Sequence, residues 1–215
     1  MLFELEGEHT RITRMHTSTL LGPETFQSMP WRNGLGTTVE LLRQDLPGET
    51  GFAWRLSMAD VTEDGEFSNF SGYDRTLLLL EGNGLTLDCG GARHRLEQPL
   101  QAARFRGEDA TVATLHDGPV KDFNVMTSRQ HCNARVSDHA KPTATHIEVS
   151  TKLLLIYAVT GDLRIDSSGD GNLRIPPQHL LVVQDPVAEP LPCRGASFIA
   201  TQISNIAQYD TDPQN

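Results

Sequence analysis

Strand-forming segments follow one another along almost the whole chain, and turn residues separate them at intervals of about 8 to 12 residues. No segment carries the long apolar stripe of a surface helix. This spacing is typical of antiparallel sandwiches and barrels, so the sequence predicts an all-β protein. The apolar run at residues 76–80 does not alternate, and it fits either a strand buried on both faces or a short helix.

The size and charge of the chain limit its class of partner. A chain of 215 residues is large enough for one large β domain or two small ones. Folding of a chain this long buries roughly 70% of the unfolded surface. A formal net charge of -10 and a pI near 5.2 disfavour binding to nucleic acid or to an anionic membrane. The sequence is compatible with either a monomer or a homodimer.

The cysteines and the N-terminus bear on cellular location. Cys89, Cys132 and Cys193 are far apart and form no CxxC pair, which argues against a zinc knuckle or a dithiol redox site. The first residues mix acidic and basic side chains where a signal peptide has a continuous apolar run. No run of about 18 apolar residues occurs. We therefore expect a cytoplasmic protein with reduced thiols.

The stretch MPWRNGLGTT, residues 29–38, combines a tryptophan, an arginine and a flexible turn. Asn33 and Gly34 can take the positive backbone dihedrals of a tight turn. Trp31 beside such a turn fits the wall of a shaped opening, with Arg32 and Asn33 as candidate ligand-binding residues. It fits equally well a core plug with Arg32 as a solvated neighbour.

The facing stretch, FAWRLSMADV at residues 52–61, is informative because its alternation can be followed. Its large apolar residues fall on one face, whereas the other face is small and polar around one cation, Arg55, followed by Ser57. A strand that lines a cavity has this pattern, with Arg55 available to bind a carboxylate in a bidentate fashion. The solvent-facing side of an ordinary antiparallel sheet has the same pattern.

Two later stretches contribute further candidate residues. Arg75 and the aspartate before it form either a local ion pair or a ligand-binding cation with its orienting carboxylate. In the strand at residues 121–126, Asp122, Asn124 and Met126 share one face. Asn124 fits either a hydrogen-bond donor to a ligand carbonyl or a residue that satisfies a strand end.

Metal and catalytic motifs are absent from the sequence. The chain has 8 histidines but no H-x-H pair, and His94 with Glu97 is the nearest approach to a metal-binding cluster. No GxSxG elbow, phosphate loop or GxGxxG before a helix occurs. Ser57 has no histidine placed near it by sequence. We expect no metal, no cofactor and no catalytic residue.

A weak internal repeat indicates that the chain is duplicated. The segment LLLLEGNGLTL at residues 77–87 is similar to LLLIYAVTGDLRI at residues 153–165, each an apolar strand, a glycine turn and an alternating strand. Two small β-barrels are the simplest account, with the link near residues 129–145. We assign residues 15–135 to a first barrel and residues 136–208 to a second, smaller one. Exchange of strands between the barrels stays open.

Four ordered motifs carry a resemblance to a known family. They are PWRNGLGTT, WRLSMADV, GEFSNFSGYDRTLLLLEGNG and DFNVMTS, and the turn EGNGLTL resembles the glycine turn of cupin barrels. Together they resemble the bacterial HutD/Ves family, strongly over residues 29–135 and weakly over the remainder. The resemblance implies a bicupin, with two double-stranded β-helix (jelly-roll) barrels in one chain. The motifs do not separate the HutD branch from the Ves branch.

The resemblance also implies where a ligand binds. Metal-dependent cupins place two histidines one residue apart, which this chain does not, so the implied site is metal-free. Ser71 stands where the family commonly has proline before the motif glycine, a departure that touches only the loop. The ligand-binding residues assigned in this way are Trp31, Arg32, Asn33, Arg55, Ser57, Arg75, Asn124 and Met126.

The function implied by the resemblance is a link to histidine utilisation, in which HutD proteins are thought to bind an anionic intermediate and moderate pathway output. We expect binding of N-formylglutamate, urocanate or a formate-like group, with Arg55 on one carboxylate and Arg75 or Arg32 on a second. The alternative is a cofactor-free isomerase or hydrolase acting on the same class of acid. A purely structural module would bind no such ligand and would expose an apolar patch to a partner.

Overall fold

Strands account for nearly all of the regular structure of the chain. The computed structural model describes residues 10–13, 16–31, 36–140, 144–167, 171–186 and 190–205. Within these ranges a 3-10 turn at Pro23–Thr25 is the only helical element, and no helix has the length and apolar character needed to cross a membrane. The all-β prediction is confirmed, and residues 76–80 lie in a strand. The strands are β1 Thr10–Thr13, β2 His16–Leu21, β3 Gln27–Pro30, β4 Gly36–Asp45, β5 Phe52–Val61, β6 Gly65–Glu66, β7 Tyr73–Glu81, β8 Leu85–Cys89, β9 Ala92–Leu96, β10 Ala102–Arg106, β11 Thr111–Leu115, β12 Val120–Ser128, β13 Cys132–His139, β14 Thr145–Ile147, β15 Leu153–Ser167, β16 Gly171–Ile175, β17 Leu180–Gln184 and β18 Leu191–Asn205.

The chain forms two compact units. Among the described residues, those within 26–134 and 204–205 form the first unit, and those within 10–25 and 135–203 form the second. Residues 15–25 were predicted to belong to the first barrel, whereas residues 16–25 lie in the second unit, where β2 pairs with β17. Without β2, that edge of β17 would present a row of unpaired backbone N–H and C=O groups.

Two antiparallel sheets build the first unit. The larger sheet has the strand order β10-β7-β12-β5-β4-β3, and the smaller one has the order β6-β11-β8-β9. Their packed residues come from every second position of each strand, as expected when one face of a sheet is turned to the core. We call this face of the larger sheet the inner face. The buried apolar core consists of Ala59, Val61, Leu77, Leu79, Leu85, Leu87, Cys89, Leu96, Ala103, Phe105, Ala113 and Val120.

A hairpin of β4 and β5 brings the two tryptophan-containing stretches face to face, as expected from the sequence. β4 pairs with β5 from Gly36 opposite Val61 to Asp45 opposite Phe52. The register shifts after Glu40, so that Leu41 has no partner and forms a bulge. The bulge leaves Glu40 on the inner face opposite Ser57 and thereby brings a carboxylate beside the polar side of β5.

The second unit is built on one eight-stranded sheet. Its strands follow the order β1-β2-β17-β15-β18-β13, with β14 on β18 and β16 on β15. The prediction of a glycine turn at Gly161 is wrong, because β15 continues through that residue, which takes a φ of 65° within a shift of register against β18. The hydrophobic core of this unit consists of Ile147, Val149, Leu154, Ile156, Ala158, Leu163, Ile165, Ile175, Leu181, Val183, Cys193, Phe198 and Ala200.

Trp31 joins the start of β4 to the core of the first unit. Its backbone N–H donates to the Gly36 carbonyl at 2.9 Å, and its indole Nε1 donates to Thr38 Oγ1 at 2.8 Å. The ring packs partly buried against the apolar core, as expected of a core plug. A methyl group added at Gly36 would lie 2.9 Å from the ring and closer still to the Asp60 carbonyl oxygen. Only glycine fits between the ring and β5.

We therefore expect Gly36→Ala to lower the midpoint of thermal unfolding and to change the tryptophan fluorescence. Overpacking of this kind costs about 1–3 kcal/mol, and each kcal/mol corresponds to roughly 2–4 °C for a chain of this size. Gly65→Ala is the matched control, because nothing lies within 4 Å of a methyl group added there. Equal unfolding midpoints for the two variants would contradict this account of Trp31.

Candidate functional site

Strand pairing brings five of the predicted site residues together on the inner face. Met126 pairs with Arg55 of β5 and with Arg75 of β7, while Asn124 pairs with Ser57. Directly paired residues in an antiparallel sheet project from the same face, so all five side chains share the inner face. Glu40 and Asp122 join them through the same registers. We call this group the polar cluster, and its members are Glu40, Arg55, Ser57, Arg75, Asp122 and Asn124.

Arg75 is a buried cation surrounded by aromatic rings. Only 7% of its surface is exposed. Its guanidinium carbon lies 5.3 Å from the ring centre of Phe67, 5.7 Å from that of Phe70 and 5.0 Å from that of Phe105. Aromatic faces attract cations, and the attraction is stronger where water is excluded. Three rings therefore replace part of the hydration that the guanidinium loses on burial.

A short hydrogen-bonded chain connects Arg75 to a buried carboxylate. Arg75 Nη2 donates to Asn124 Oδ1 at 3.0 Å, and Asn124 Nδ2 donates to Asp122 Oδ1 at 2.6 Å. Asp122 has no exposed surface. Two polar atoms of these hydrogen-bonded side chains, Arg75 Nε and Asp122 Oδ2, are buried without a hydrogen-bond partner. The three side chains thus have one unused donor and one unused acceptor.

Arg55 provides a second guanidinium on the other side of Met126. Its Nε lies 4.0 Å from Glu40 Oε2, too far for a hydrogen bond, and neither atom has another hydrogen-bond partner. The guanidinium carbon lies 5.5 Å from the ring centre of Phe52 and 5.6 Å from that of Phe70. Phe70 therefore contacts both cations of the cluster.

Burial shifts the pKa values of the charged members of the polar cluster. It lowers the pKa of Arg75 to about 10, with a smaller opposing effect of Asp122, so Arg75 stays charged at neutral pH. It also lowers the pKa of Arg55, against the opposing effect of Glu40. Burial raises the pKa of Asp122 to about 7, although the Arg75 charge and the Asn124 hydrogen bond favour the ionised form.

Asp74 does not take part in the cluster: it forms no local ion pair with Arg75 and is not the carboxylate that orients it. Arg129 Nη1 donates to Asp74 Oδ1 at 3.0 Å, and the same nitrogen donates to the Tyr73 carbonyl at 2.8 Å. Neighbouring residues of a strand project from opposite faces, so Asp74 cannot follow Arg75 onto the inner face. Asn124 and Asp122 supply the partners of Arg75 instead.

The other predicted site residues have different positions. Trp31 packs against the apolar core of the first unit, and no contact between it and the polar cluster is evident among the described residues. Arg32 and Asn33 lie outside the residues that the structure describes. Met126 is fully buried between Arg55 and Arg75, where it separates the two cations as an apolar floor.

Sequence reasoning missed several residues of the site. Asp122 was recognised as sharing a face with Asn124, but not as the carboxylate that faces Arg75. Phe67 and Phe70 lie in an aromatic loop that precedes β7, and their ring contacts with the arginines depend on how that loop folds back. The alternation of Glu40 was obscured by the bulge at Leu41.

A serine–histidine pair lies at the end of β12. Ser128 Oγ is 2.8 Å from His131 Nδ1, and His131 Nε2 is 3.9 Å from Glu49 Oε2. Ser128 follows Met126 on the inner face, two positions along the strand. The pair was not predicted, because Ser57 was the serine considered and the turn that brings His131 back to Ser128 is not evident from the sequence.

Other reactive groups are less suited to chemistry. All three cysteines are unpaired and buried, and burial raises the thiol pKa to about 11 for Cys132 and to about 12 for Cys193. Within the described ranges, no group of three or more His, Cys, Asp or Glu side chains is arranged to hold a metal ion. The hydrophobic core of the second unit is flanked on β18 by the buried Gln202, which shares the face of Ala200 and is hydrogen-bonded to the Ser150 N–H and the Glu148 carbonyl.

Comparison with known proteins links the chain to one family at the sequence level. The family model HutD matches residues 23–201. A Pseudomonas putida protein described as an uncharacterized 21.2 kDa protein in the hutC 3' region is 35% identical over 150 residues, which are 70% of this chain and 78% of that protein. Protein Ves of Cronobacter sakazakii is 43% identical over 108 residues, which are 49% of this chain and only 58% of Ves.

Solved structures agree with this relationship. HutD from Pseudomonas fluorescens SBW25 has a TM-score of 0.75 at 27% identity, covering 88% of this chain and 99% of that one. A conserved protein of unknown function from Pseudomonas aeruginosa PAO1 has a TM-score of 0.77 at 28% identity with the same coverage. YhhW from Escherichia coli, with a TM-score of 0.60 at 8% identity over 86% of this chain and 96% of its own, shares the fold alone. The predicted bicupin fold is confirmed, and the chain belongs to the HutD family.

Proposed function

We propose that the polar cluster binds a small carboxylate from histidine degradation, N-formylglutamate or urocanate, and that this binding moderates histidine utilisation. One observation carries the proposal: the buried guanidinium of Arg75 and the partly buried guanidinium of Arg55 flank Met126 on the inner face, and each has a buried Nε without a hydrogen-bond partner. A buried N–H without an acceptor costs about 1–3 kcal/mol. An anionic ligand would supply the acceptors that the free cluster lacks.

The arrangement of the two cations suits a small acid with a flat or short apolar part. Arg55 and Arg75 are separated by two strand spacings, which is about 10 Å between their backbones, and their side chains meet around the ring of Phe70. Guanidinium groups bind carboxylates through paired hydrogen bonds. A dicarboxylate could use both arginines, while a flat monocarboxylate could place its carboxylate on one and its body against the phenyl ring.

The relatives supply the link to a pathway. A Pseudomonas putida relative is described by its position in the hutC 3' region, and a solved relative bears the name HutD. Both descriptions support a role connected with histidine utilisation. A protein whose site binds without turning over its ligand can act on that pathway by sensing the level of an intermediate, which is the role we propose.

We expect Arg55→Ala to weaken binding of the pathway acid by about 10- to 100-fold, because a hydrogen bond to a charged group contributes about 1.5–3 kcal/mol. Thermal shift measurements with urocanate, N-formyl-L-glutamate, glutamate, histidine and formate would identify the ligand. Saturation at a hundredfold the dissociation constant adds about 2.7 kcal/mol, which raises the midpoint by roughly 5–10 °C for a chain of this length.

Arg93→Ala is the matched control, because it removes the same charge from an exposed ion pair with Asp88. Both variants lose one positive charge, so calorimetric titration with the identified ligand shows whether the position of the arginine matters for affinity. Equal affinities for the two variants would refute the proposed role of Arg55.

Hydrolysis of the same acid is the second candidate function, and the Ser128–His131 pair is the observation that favours it. A hydrogen-bonded serine and histidine on the inner face could act as nucleophile and base. His131 Nε2 lies 3.9 Å from Glu49 Oε2. Binding without turnover is the favoured function, because the spare N–H groups of Arg55 and Arg75 point to a bound anion.

Time-resolved NMR distinguishes the two candidates. We expect the spectrum of the bound acid to stay unchanged for hours at stoichiometric protein, because the proposed site binds its ligand without turnover. Appearance of a product that Ser128→Ala abolishes would establish the hydrolase instead. Product that persists in Ser128→Ala would indicate a contaminating enzyme and would leave the binding function in place.

A further inference from the structure

We propose that the polar cluster takes up its acid as an anion together with one proton, and that Asp122 accepts this proton from the solvent when the ligand binds. The inference rests on the proposed function, because it describes how the same site accommodates a carboxylate. Its basis is the balance of charge among four side chains on a largely buried face of the sheet.

The free cluster is neutral when all of its ionisable members are charged. Arg55 and Arg75 supply two cations, while Glu40 and Asp122 supply two carboxylates. A carboxylate that binds the spare N–H groups of the arginines adds a negative charge without adding a positive one. Since burial makes an uncompensated charge costly, the added anion favours protonation of a carboxylate already present.

Asp122 is the carboxylate that the ligand would protonate. It has no exposed surface, whereas 12% of the Glu40 side chain is exposed and can still be hydrated. Asp122 reaches its countercharge Arg75 only through Asn124, so it lacks the direct ion pair that would hold it ionised. A ligand carboxylate on Arg75 would weaken even that indirect stabilisation.

The neighbouring strands leave few other charges near Asp122. Arg75 on β7 favours its ionised form, while Asp60 on β5 opposes it. Arg55 on β5 lowers the pKa of Arg75, whereas the thiol of Cys89 on β8 raises it. Glu40 on β4 raises the pKa of Arg55. The smaller sheet otherwise presents the apolar side chains Leu85, Leu87, Leu96 and Ala113 to this side of the core.

Protonation would also involve Asp122 Oδ2, an atom that forms no hydrogen bond in the free protein. Asp122 Oδ1 accepts the hydrogen bond from Asn124, whereas Oδ2 has no partner. A proton on Oδ2 converts that atom from an unsatisfied acceptor into a donor, as in sites where a buried carboxylic acid stays neutral to bind an oxyanion. Burial already raises the pKa of Asp122 to about 7, so the additional shift acts in the physiological range.

The sign of the pH dependence follows from linkage. If the bound state favours protonated Asp122, affinity is full below the pKa of the free protein and falls as the pH rises above it. With a free pKa of about 7, we expect the dissociation constant to rise about tenfold between pH 6 and pH 8. Close to one proton should be taken up per ligand at pH 8, where free Asp122 is largely ionised.

Isothermal titration calorimetry of the full chain with N-formyl-L-glutamate and with glutarate tests this inference. Carboxyl groups of such acids titrate near pH 4 and not above pH 6, so neither probe contributes protons in this range. Titration at pH 8 in HEPES and in Tris, which differ in ionisation enthalpy, gives the number of protons taken up. Titrations at pH 6, 7 and 8 give the change in affinity.

Asp122→Asn provides the second arm, because it keeps the shape of the side chain and cannot take up a proton. We expect its proton uptake to fall to near zero and its affinity to become independent of pH, with thermal unfolding as the check on its fold. The wild-type titrations decide the question even if this variant does not fold. Tight binding without proton uptake and with a constant affinity overturns the inference alone, whereas no binding of either acid at pH 6, together with no thermal shift with urocanate, overturns the proposed function with it.

Discussion

Burial of the Arg75 charge is the constraint on which the architecture of the first unit depends. A guanidinium removed from water needs a countercharge, hydrogen-bond acceptors or aromatic faces, and Arg75 draws on all three. These partners come from three segments: Asn124 and Asp122 from β12, Phe105 from β10, and Phe67 from the loop before β7. The arginine therefore ties the central strands of the larger sheet to this loop, which backbone hydrogen bonds from Phe67 to Thr111 and from Phe70 to Gly107 also hold.

In both units every second residue of a strand faces the core, but the residue types at these core-facing positions differ between the units. In the second unit, most core-facing positions of β15 and β18 carry apolar residues such as Ile156 and Ala200. In the first unit, the corresponding stretch of the central strands carries Arg55, Ser57 and Asn124 in place of aliphatic residues. Replacing packed hydrocarbon by polar groups with spare hydrogen-bonding capacity sacrifices stability, which is typical of a binding surface.

Much of this site could be predicted from local pattern, and the rest required knowledge of strand pairing. Alternation along β5 correctly placed Arg55 and Ser57 on one face of that strand, and alternation along β12 correctly placed Asn124 on the same face as Asp122 and Met126. The contact between Arg75 and Asn124 joins residues 49 positions apart in sequence, and no local signal specifies that register. Proximity in sequence was misleading for Asp74, because adjacent residues of a strand cannot share a face.

The overall charge of the protein and the charge of its site act at different ranges. A net charge of -10 creates a repulsive field for anions, but salt screens exposed charges beyond about 8 Å at physiological ionic strength. The guanidinium groups of Arg55 and Arg75 act over a few ångströms in surroundings that screen them less. Composition therefore disfavours nucleic acid and anionic membranes as partners without disfavouring a small anion. At the proposed site, discrimination among acids would depend on short-range contacts, and such contacts govern how slowly a bound ligand leaves more than how fast it arrives.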